Sequence, residues 1–227
     1  MNVINVYTII TSDYLQNLKE LYNLLSVREK IQSTKFITPS LSNRYIITRA
    51  ALRGILAKHL NVIPQDIEFI TNSYGKPSVK GNSIKFNMSH SIEMAYYAVS
   101  ISFDLGIDVE FFNRKKNIFD IAKSVFSTTE FDFFIKLSND ERQEFFFETW
   151  VKKEAMIKAV GLGLSYPMKE VDTLQMHNNH SLELCGSQYY LYRLASDNFY
   201  KAYLVVKDQE NISIEQQFMK LCCDFIT

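Results

Sequence analysis

Two short segments in the second half of the chain constrain the fold more than any other part of the sequence. Residues 105–110 read Leu-Gly-Ile-Asp-Val-Glu, and residues 150–164 carry Trp150, Glu154 and Lys158 at intervals of four. The first pattern predicts a strand with one buried apolar face, and the second predicts one stripe of a helix that ends at Gly161. A carboxylate and an ammonium group on that helix would then face the carboxylates of the strand across a cleft.

The paired carboxylates of the strand are the first candidate site. Asp108 and Glu110 lie two residues apart, so their side chains would share a face at roughly 6–7 Å from each other. Two such groups repel unless a cation or a proton lies between them, and their oxygens suit Mg²⁺ or Mn²⁺. Two other interpretations stay open: Asp108 and Glu110 on a solvent-facing edge strand, and Glu154–Lys158 as a surface pair of an ordinary amphipathic helix.

The remaining periodicities predict an α+β protein with two similar lobes. The elements expected, in chain order, are a first strand to residue 10, helical segments over 13–36 and 41–60, strands over 66–70 and 84–88, a hairpin formed by 94–101 and 105–110, a helix after Ser127, a helix over about 141–160, and strands over 182–193 and 200–207. We place the boundary near residues 103–105, giving lobes 1–104 and 105–227, since 227 residues suffice for two lobes of about 110.

Composition excludes several classes of partner. Lys+Arg and Asp+Glu balance at 25 each, so no overall field attracts nucleic acid or an anionic membrane. No apolar run reaches the ~18–20 residues of a membrane span, and the first residues lack the basic start of a signal peptide. Three cysteines without C-x-x-C spacing predict reduced thiols, and hence a cytoplasmic protein.

Two motifs in the first half also offer ligand contacts. Residues 86–91 read Phe-Asn-Met-Ser-His-Ser and place Ser89 and His90 at the end of a predicted strand, where loops often bind ligands. The alternative for His90 is a structural histidine. Residues 75–77, Gly-Lys-Pro, form a turn that presents Lys76, while Lys30 and Arg44 belong to a basic stretch whose charges are otherwise a solvated surface.

Four motifs, taken in their order along the chain, resemble those of the Sfp-type 4′-phosphopantetheinyl transferases. They are Gly75-Lys-Pro77, Phe86-Asn-Met-Ser-His-Ser91, Gly106-Ile-Asp-Val-Glu110, and Trp150-x-x-Lys-Glu-Ala-x-x-Lys158 with Gly161-x-Gly163. The resemblance implies a pseudo-dimeric monomer whose active site lies between the two lobes. It also implies transfer of the 4′-phosphopantetheine group from coenzyme A to a serine of an apo acyl, peptidyl or aryl carrier protein, with release of adenosine 3′,5′-bisphosphate.

The resemblance assigns roles to individual positions. It implies that Mg²⁺ (or Mn²⁺) is held by Asp108, Glu110 and Glu154, and that Glu154 also activates the acceptor serine, directly or through water. Lys158 corresponds to the lysine near the pyrophosphate, and Lys153 to a second catalytic lysine. The implied contacts to coenzyme A are Lys30, Arg44, Lys76, Ser89, His90 and Lys158.

The partner and the pathway are less constrained. Because carrier proteins are generally acidic, residues 114–116, Arg-Lys-Lys, form a candidate docking patch beside Phe111 and Phe112, with a solvated loop as the alternative. The two-lobed length favours nonribosomal peptide, polyketide or siderophore synthesis. Two other functions stay open: a degenerate module that binds coenzyme A or a carrier protein without transfer, and a metal-dependent phosphodiesterase or pyrophosphatase.

Overall fold

Blocks of helices and blocks of strands follow one another along the chain. The structure is a computed structural model that describes residues 2–82, 84–112, 117–177 and 181–220. The α-helices are α1 (Leu18–Asn23), α2 (Val27–Ser33), α3 (Pro39–Leu60), α4 (Phe119–Val125), α5 (Thr128–Phe134) and α6 (Asn139–Val160). The strands are β1 (Val3–Ile10), β2 (Phe69–Thr71), β3 (Pro77–Val79), β4 (Lys85–Ser91), β5 (Met94–Ser100), β6 (Leu105–Phe111), β7 (Ser181–Leu184), β8 (Ser187–Arg193), β9 (Tyr200–Lys207) and β10 (Ser213–Phe218). Short 3₁₀ turns span Thr11–Asn17, Pro64–Asp66, Gly163–Ser165, Met168–Glu170 and Gln175–His177.

The two long helices begin and end where the sequence provides caps. The Thr38 side chain accepts a hydrogen bond from the Leu41 N–H at the start of α3, and Pro39 occupies the first turn. Ser138 donates its N–H to the Glu141 carboxylate at the start of α6, which is half of a capping box. Gly161 ends α6 with φ +82°, a left-handed conformation that glycine adopts without strain. The predicted end of this helix at Gly161 is confirmed.

Two four-stranded sheets form the centre of the fold. One has the order β10-β1-β5-β4 and the other the order β6-β9-β8-β7, while β2 and β3 form a small separate hairpin. All described strand pairs are antiparallel except β1 with β10, which run parallel. The last strand of the described residues, β10, therefore joins the sheet built by the first half. The division into lobes 1–104 and 105–227 stays a prediction.

The two sheets pack against each other, and each carries one 22-residue helix on its outer face. Alternation along the strands produces this layering, since Ile107 and Val109 of β6 point toward the other sheet. Val205 of β9 points the opposite way, against α6. The α+β class predicted from the sequence is confirmed. Within the described residues, no helix is long and apolar enough to cross a bilayer.

One predicted connection is wrong. Residues 94–100 and 105–111 do form strands, but they do not form a hairpin with each other. β5 pairs with β1 on one side and β4 on the other, so both of its edges are already used. β6 instead pairs with β9 in the second sheet. The intervening turn carries the chain from one sheet to the other, and the Ser100 hydroxyl holds that turn by accepting the N–H groups of Ser102 and Phe103 at 3.2 and 3.0 Å.

Candidate active site between the sheets

The candidate site lies along a seam between two edge strands. β4 ends the first sheet and β6 ends the second, and side chains rather than backbone hydrogen bonds join them. Three polar residues of β4, spaced by two, point at β6: Asn87, Ser89 and Ser91. Because side chains alternate along a strand, the pattern Asn-x-Ser-x-Ser places all three polar side chains on one face and gives β4 a polar edge.

Each of these β4 side chains bonds a different part of β6. The Asn87 side-chain oxygen accepts the N–H of Ile107 at 2.9 Å. Ser89 Oγ donates to Asp108 Oδ1 at 2.7 Å. The seam thus fixes the position of β6, and of the acidic residues on it, relative to the first half of the chain.

The second acidic residue of β6 is held in the same way. Ser91 Oγ donates to Glu110 Oε2 at 2.8 Å and accepts the N–H of Phe111 at 3.1 Å. A bond to a carboxylate from a neutral hydroxyl orients that carboxylate without neutralising it. Ser91 therefore positions Glu110 at the seam.

A glycine brings the helix of the site close to this strand. A Cβ built on Gly106 would lie 2.2 Å from the Ala155 carbonyl oxygen and 2.3 Å from the Ala159 nitrogen, both in the backbone of α6. Only a residue without a side chain fits between these two elements. This close approach lets side chains of α6 one turn further along reach Asp108.

Asp108 is the most buried acid of the site, with 4% of its surface exposed. Its Oδ1 accepts hydrogen bonds from Ser89 Oγ and from Lys158 Nζ, both at 2.7 Å. Its Oδ2 is buried and accepts no hydrogen bond from any described residue. A buried carboxylate oxygen without a partner is costly, which makes Oδ2 a position where a cation would be stabilised.

Lys158 connects the two sides of the cleft. Its Nζ lies 2.7 Å from Asp108 Oδ1, 3.0 Å from Ser89 Oγ and 3.2 Å from the Ile107 carbonyl oxygen. The side chain stays 28% exposed, so the ammonium group is open to the cleft on its remaining side. This places a positive charge where an anionic group could approach.

Glu154, one turn before Lys158, has a raised pKa. Burial is the largest cause, and the negative charge of Asp108 adds to it; the Lys158 ammonium opposes both, and Glu110 contributes a smaller rise. Because Asp108 and Glu110 both act on Glu154, the three carboxylates lie close enough to affect one another. A carboxylate with a raised pKa is a stronger base than an exposed one.

Together these side chains line a cleft of about 500 Å³. The stripe of α6 predicted from the sequence is confirmed, because Trp150, Glu154 and Lys158 all face this cleft. The sequence did not point to the other members of its wall, which are Tyr45, Thr48, Arg49 and Met88. Arg49 is the main omission. It lies i+4 from Tyr45 on α3, with its guanidinium 5.8 Å from the centre of the Tyr45 ring.

His90 lines the cleft, and Arg44, which does not line it, lies close enough to act on His90. His90 is part of the cleft wall, and its pKa is lowered by desolvation first and by the positive charges of Arg44 and Lys158 second. Arg44 donates to the Ile92 carbonyl oxygen at 3.2 Å. Ser89, His90 and Lys158 therefore meet in one place, with Arg44 beside them, as an anion site requires.

Lys76 lies elsewhere on the seam. Its Nζ donates to the carbonyl oxygens of Leu105 and Ala159 at 3.0 and 3.1 Å, at the carboxyl end of α6. Desolvation lowers its pKa to about 8. Lys76 lines a separate pocket of about 210 Å³ that also includes Asn72 and Gly161. The structure does not bring this predicted coenzyme contact together with Ser89 and Lys158.

Lys153 is on the far side of α6 from the cleft. The side chain is fully buried, with Nζ 2.6 Å from Glu130 Oε2 and 2.8 Å from the Met168 carbonyl oxygen, and it also donates to the Val171 carbonyl. All of these partners belong to the core. The prediction of a catalytic role for Lys153 therefore conflicts with its position, because its ammonium group cannot reach the cleft.

Two further predictions lie outside the described cleft. Lys30 is on α2, with its ammonium 5.3 Å from the centre of the Tyr22 ring, and it is not part of the cleft wall. Residues 113–116, which include the predicted docking patch, are outside the described residues. Phe111 and Phe112, predicted beside that patch, follow Glu110 directly, and Phe111 stacks on Phe199 at 6.4 Å between ring centres.

The acidic residues offer the carboxylate oxygens that Mg²⁺ prefers, but they are not already arranged as a metal centre. Among the described residues, no three Asp, Glu, His or Cys side chains already have the spacing of a metal centre. Mg²⁺ is usually bound by only one or two carboxylates, with water and substrate phosphates completing its shell. The partnerless Oδ2 of Asp108 and the mutual repulsion among Asp108, Glu110 and Glu154 suit that kind of site.

Known proteins resemble this chain over most of its length. The family model of the 4′-phosphopantetheinyl transferase superfamily matches residues 104–214. A 4′-phosphopantetheinyl transferase of Bacillus subtilis is 32% identical over 162 residues, which cover 70% of this chain and 71% of that protein. The 4′-phosphopantetheinyl transferase HetI of Nostoc sp. is 32% identical over 152 residues, 65% of this chain and 64% of HetI. The 4′-phosphopantetheinyl transferase Sfp of Bacillus subtilis is 29% identical over 167 residues, 73% of each chain.

Some of these matches are partial. The chain spans 64% of HetI and 61% of a putative 4′-phosphopantetheinyl transferase of Synechocystis sp., so it covers less than two thirds of either relative. Among solved structures, the holo-[acyl-carrier-protein] synthase of Thermotoga maritima superposes with a TM-score of 0.34 at 21% identity, over 48% of this chain and 65% of that one. That structural likeness is too weak to define the fold.

Proposed function

This chain belongs to the 4′-phosphopantetheinyl transferase superfamily, and we propose that it transfers the 4′-phosphopantetheine group of coenzyme A to a serine of an apo carrier protein. The observation that carries the proposal is one cleft in which a buried carboxylate with a partnerless oxygen, a carboxylate with a raised pKa and an open ammonium group meet. These are Asp108, Glu154 and Lys158. Phosphoryl-type transfer needs these three elements: a site for a cation, a base and a positive charge near the phosphates.

The proposed reaction forms one bond and breaks one bond. The acceptor serine oxygen attacks the phosphorus atom that carries the pantetheine arm, and the bond from that phosphorus to the bridging oxygen of the pyrophosphate breaks. Adenosine 3′,5′-bisphosphate leaves with that oxygen. The serine proton passes to Glu154, directly or through water, because a serine hydroxyl is a weak nucleophile until it loses its proton.

The other residues of the cleft bind and orient the coenzyme in this proposal. Lys158 neutralises charge on the pyrophosphate, and Ser89 and His90 contact its oxygens at the open end of β4. Arg44 is the nearest candidate for the 3′-phosphate, and Arg49 is added because it lines the same cleft. Mg²⁺, held by Asp108, Glu110 and Glu154, would supply charge neutralisation on the pyrophosphate when bound.

Two predicted contacts need separate tests. Lys76 and Lys30 were assigned to coenzyme A through the family resemblance, yet neither lines the cleft. Lys76 remains a candidate for the nucleotide end of the coenzyme only if that end reaches the neighbouring pocket. The affinity of the Lys76→Ala and Lys30→Ala variants for adenosine 3′,5′-bisphosphate, measured by competition binding, tests the two assignments separately. Loss of binding in one variant supports a coenzyme contact for that residue alone.

The proposal is tested by intact-mass spectrometry of apo carrier proteins. We expect a mass gain of one phosphopantetheine group when the protein, coenzyme A and Mg²⁺ are present, and no gain with EDTA. A panel of acyl, peptidyl and aryl carriers tests the further proposal that the enzyme serves nonribosomal peptide, polyketide or siderophore synthesis. Coenzyme A binding without transfer to any carrier would favour the degenerate binding module, and hydrolysis of coenzyme A without an acceptor would favour the phosphodiesterase.

Two features of the molecule complete the proposal. We infer a monomer, because both sides of the cleft come from one chain, and size-exclusion chromatography with light scattering tests this. We also infer a cytoplasmic location, to which the free and exposed Cys185 thiol adds support, since reduced thiols persist in that compartment.

A further inference from the structure

Three exposed aliphatic side chains lie on segments that lead to the cleft wall. Ile37 is 95% exposed, Leu41 is 38% exposed and Ile92 is 56% exposed. We call these three residues the rim patch. Large apolar side chains in this position are costly to leave in water unless they meet a partner, and clusters of them mark interaction sites.

The rim patch is connected to the cleft through helix α3. Leu41 lies one turn before Tyr45, which lines the cleft, so the two share a face of the helix. Ile37 follows Phe36, whose ring lies 5.1 Å from that of Tyr45. The Ile92 carbonyl accepts the bond from Arg44, whose charge acts on His90 of the cleft wall. Helix α3 thus connects Ile37 and Leu41 to the cleft through Tyr45, and Arg44 connects Ile92 to it.

Ile92 has a backbone conformation that is unusual for an isoleucine. Ile92 turns the chain between β4 and β5 with φ +53°, a left-handed conformation that is unfavourable for a β-branched side chain. Glycine would adopt this conformation without the clash. The chain therefore keeps an exposed isoleucine where folding alone favours glycine, which suggests that the side chain contacts something else.

The sequence segment that carries Ile37 and Leu41 is basic, whereas Ile92 has one acidic neighbour, Glu93. Residues 30–65 contain no Asp or Glu, while the same stretch carries Lys30, Lys35, Arg44, Arg49, Arg53 and Lys58. Of these, Arg53 is neutralised by a buried ion pair with Glu29. Next to Ile92, the Glu93 carboxylate accepts a hydrogen bond from Ser12 at 3.3 Å. A surface with this balance attracts an acidic partner.

We propose that the rim patch is the docking surface for the acidic acceptor protein, with Ile37, Leu41 and Ile92 as its apolar contacts. This inference rests on the proposed transferase function and adds a specific surface to it. The apolar side chains argue for a protein rather than for the nucleotide of coenzyme A, because a polyanion gains nothing from three aliphatic groups. Apolar contacts at the centre of a charged rim are the usual source of affinity in protein complexes.

Two substitutions test the surface without threatening the fold. Ile92→Gly removes the side chain and relieves the left-handed backbone, so the melting temperature should stay equal or rise. Leu41→Glu places a carboxylate at the third position of α3, where Thr38 already caps the helix, so it completes a capping box while repelling an acidic partner.

Each variant has a matched control on a distant surface. Cys185→Gly changes another exposed non-glycine residue with positive φ, +50°, in the turn between β7 and β8. Ile101→Glu changes the net charge by the same amount as Leu41→Glu, at a 75% exposed isoleucine beyond the opposite end of β5.

The experiment measures docking and transfer separately. The binding probe is an acidic apo peptidyl carrier protein whose acceptor serine is replaced by alanine, measured by biolayer interferometry. The transfer assay uses the intact carrier and reports KM for the carrier and for coenzyme A. We expect both rim variants to weaken carrier binding and raise its KM by about tenfold, with KM for coenzyme A within about twofold and both controls unchanged.

The outcomes separate this proposal from the proposed function. The docking surface is overturned if both rim variants bind the carrier as tightly as the unsubstituted protein does. It is also overturned if the unsubstituted protein does not bind the carrier. A rise in KM for coenzyme A alone overturns it too, because the patch would then belong to the nucleotide. If the unsubstituted protein binds the carrier but transfers nothing, and the rim variants weaken that binding, the docking surface is supported and the transferase function is refuted.

Discussion

Replacing Gly106 by alanine should push strand β6 away from helix α6. The added Cβ would lie 2.2 Å from the Ala155 carbonyl oxygen, 2.3 Å from the Ala159 nitrogen and 2.8 Å from the Lys158 carbonyl carbon. All three are backbone atoms of α6, so no side chain can rotate away. Strand β6 or helix α6 must move by about 1 Å to reach ordinary contact, which begins near 3.4 Å.

The size of the effect follows from that displacement. Overpacking a core with one extra carbon typically costs about 1–3 kcal/mol, and three rigid backbone contacts place Gly106→Ala at the upper end, about 3 kcal/mol. For a chain of this size that corresponds to a fall in melting temperature of roughly 6–12 °C. A shift of about 1 Å also lengthens the Lys158–Asp108 contact, and misplacement of that size commonly costs about 100-fold in turnover.

Thermal unfolding and steady-state transfer measure the two effects on one protein preparation. Gly81→Ala is the control, because Gly81 has φ +69° but an alanine Cβ at this position would meet no atom within 4 Å. It should lose only the ~1 kcal/mol of left-handed strain and keep full turnover. A Gly106→Ala chain with the melting temperature and turnover of the unchanged protein would refute the close packing of β6 on α6 and the site geometry built on it.

Three other substitutions test individual side chains. Glu154→Gln should abolish transfer yet stabilise the fold at neutral pH, because the raised pKa of Glu154 means that folding disfavours its charged form. The gain in melting temperature should vanish below about pH 4.5, where the carboxyl group is protonated in both the folded and the unfolded state. Lys153→Met should cost about 3–5 kcal/mol by leaving Glu130 unpaired in the core, while turnover per folded molecule stays near normal in a transfer assay corrected for folded fraction. Lys76 has a pKa of about 8 in the folded chain against 10.5 when exposed, so unfolding takes up a proton between these values. Relative to Lys76→Met, the unfolding free energy of the unchanged chain should therefore rise as pH increases from about 8 to about 10.5 in denaturant titrations; a flat difference would contradict the burial of this ammonium group.

Local periodicity was sufficient for the elements and insufficient for their pairing. The glycine that ends α6 and the alternation of β6 are encoded within a few residues, so the sequence predicted both. The hairpin between residues 94–101 and 105–110 was wrong because pairing depends on which strand edges are free. β5 lies between β1 and β4, and only the assembled sheet shows that no edge remains for β6.

Helix geometry explains why Lys153 and Lys158 lie on different sides of α6. Glu154 and Lys158 are four residues apart and share a face of α6, whereas Lys153 and Lys158 are five apart and point about 140° away from each other at ~100° per residue. The helical period was thus enough to exclude Lys153 from the cleft. Arg49 could not be found in this way, because its membership depends on how α3 packs over the seam, which no local pattern states.

Two ion pairs that α6 forms, Lys153–Glu130 and Lys158–Asp108, show what distinguishes a site from a core contact. Lys153 and Glu130 are fully buried, and the remaining capacity of Glu130 is used by the N–H groups of Ser127 and Thr173. Lys158 and Asp108 form a pair of similar length, yet Lys158 is partly exposed and one Asp108 oxygen has no partner among the described residues. The first pair is complete, so added ligands would find nothing to bind. The second is incomplete on both partners, and this deficit is the physical reason to expect a cation and a polyanion there.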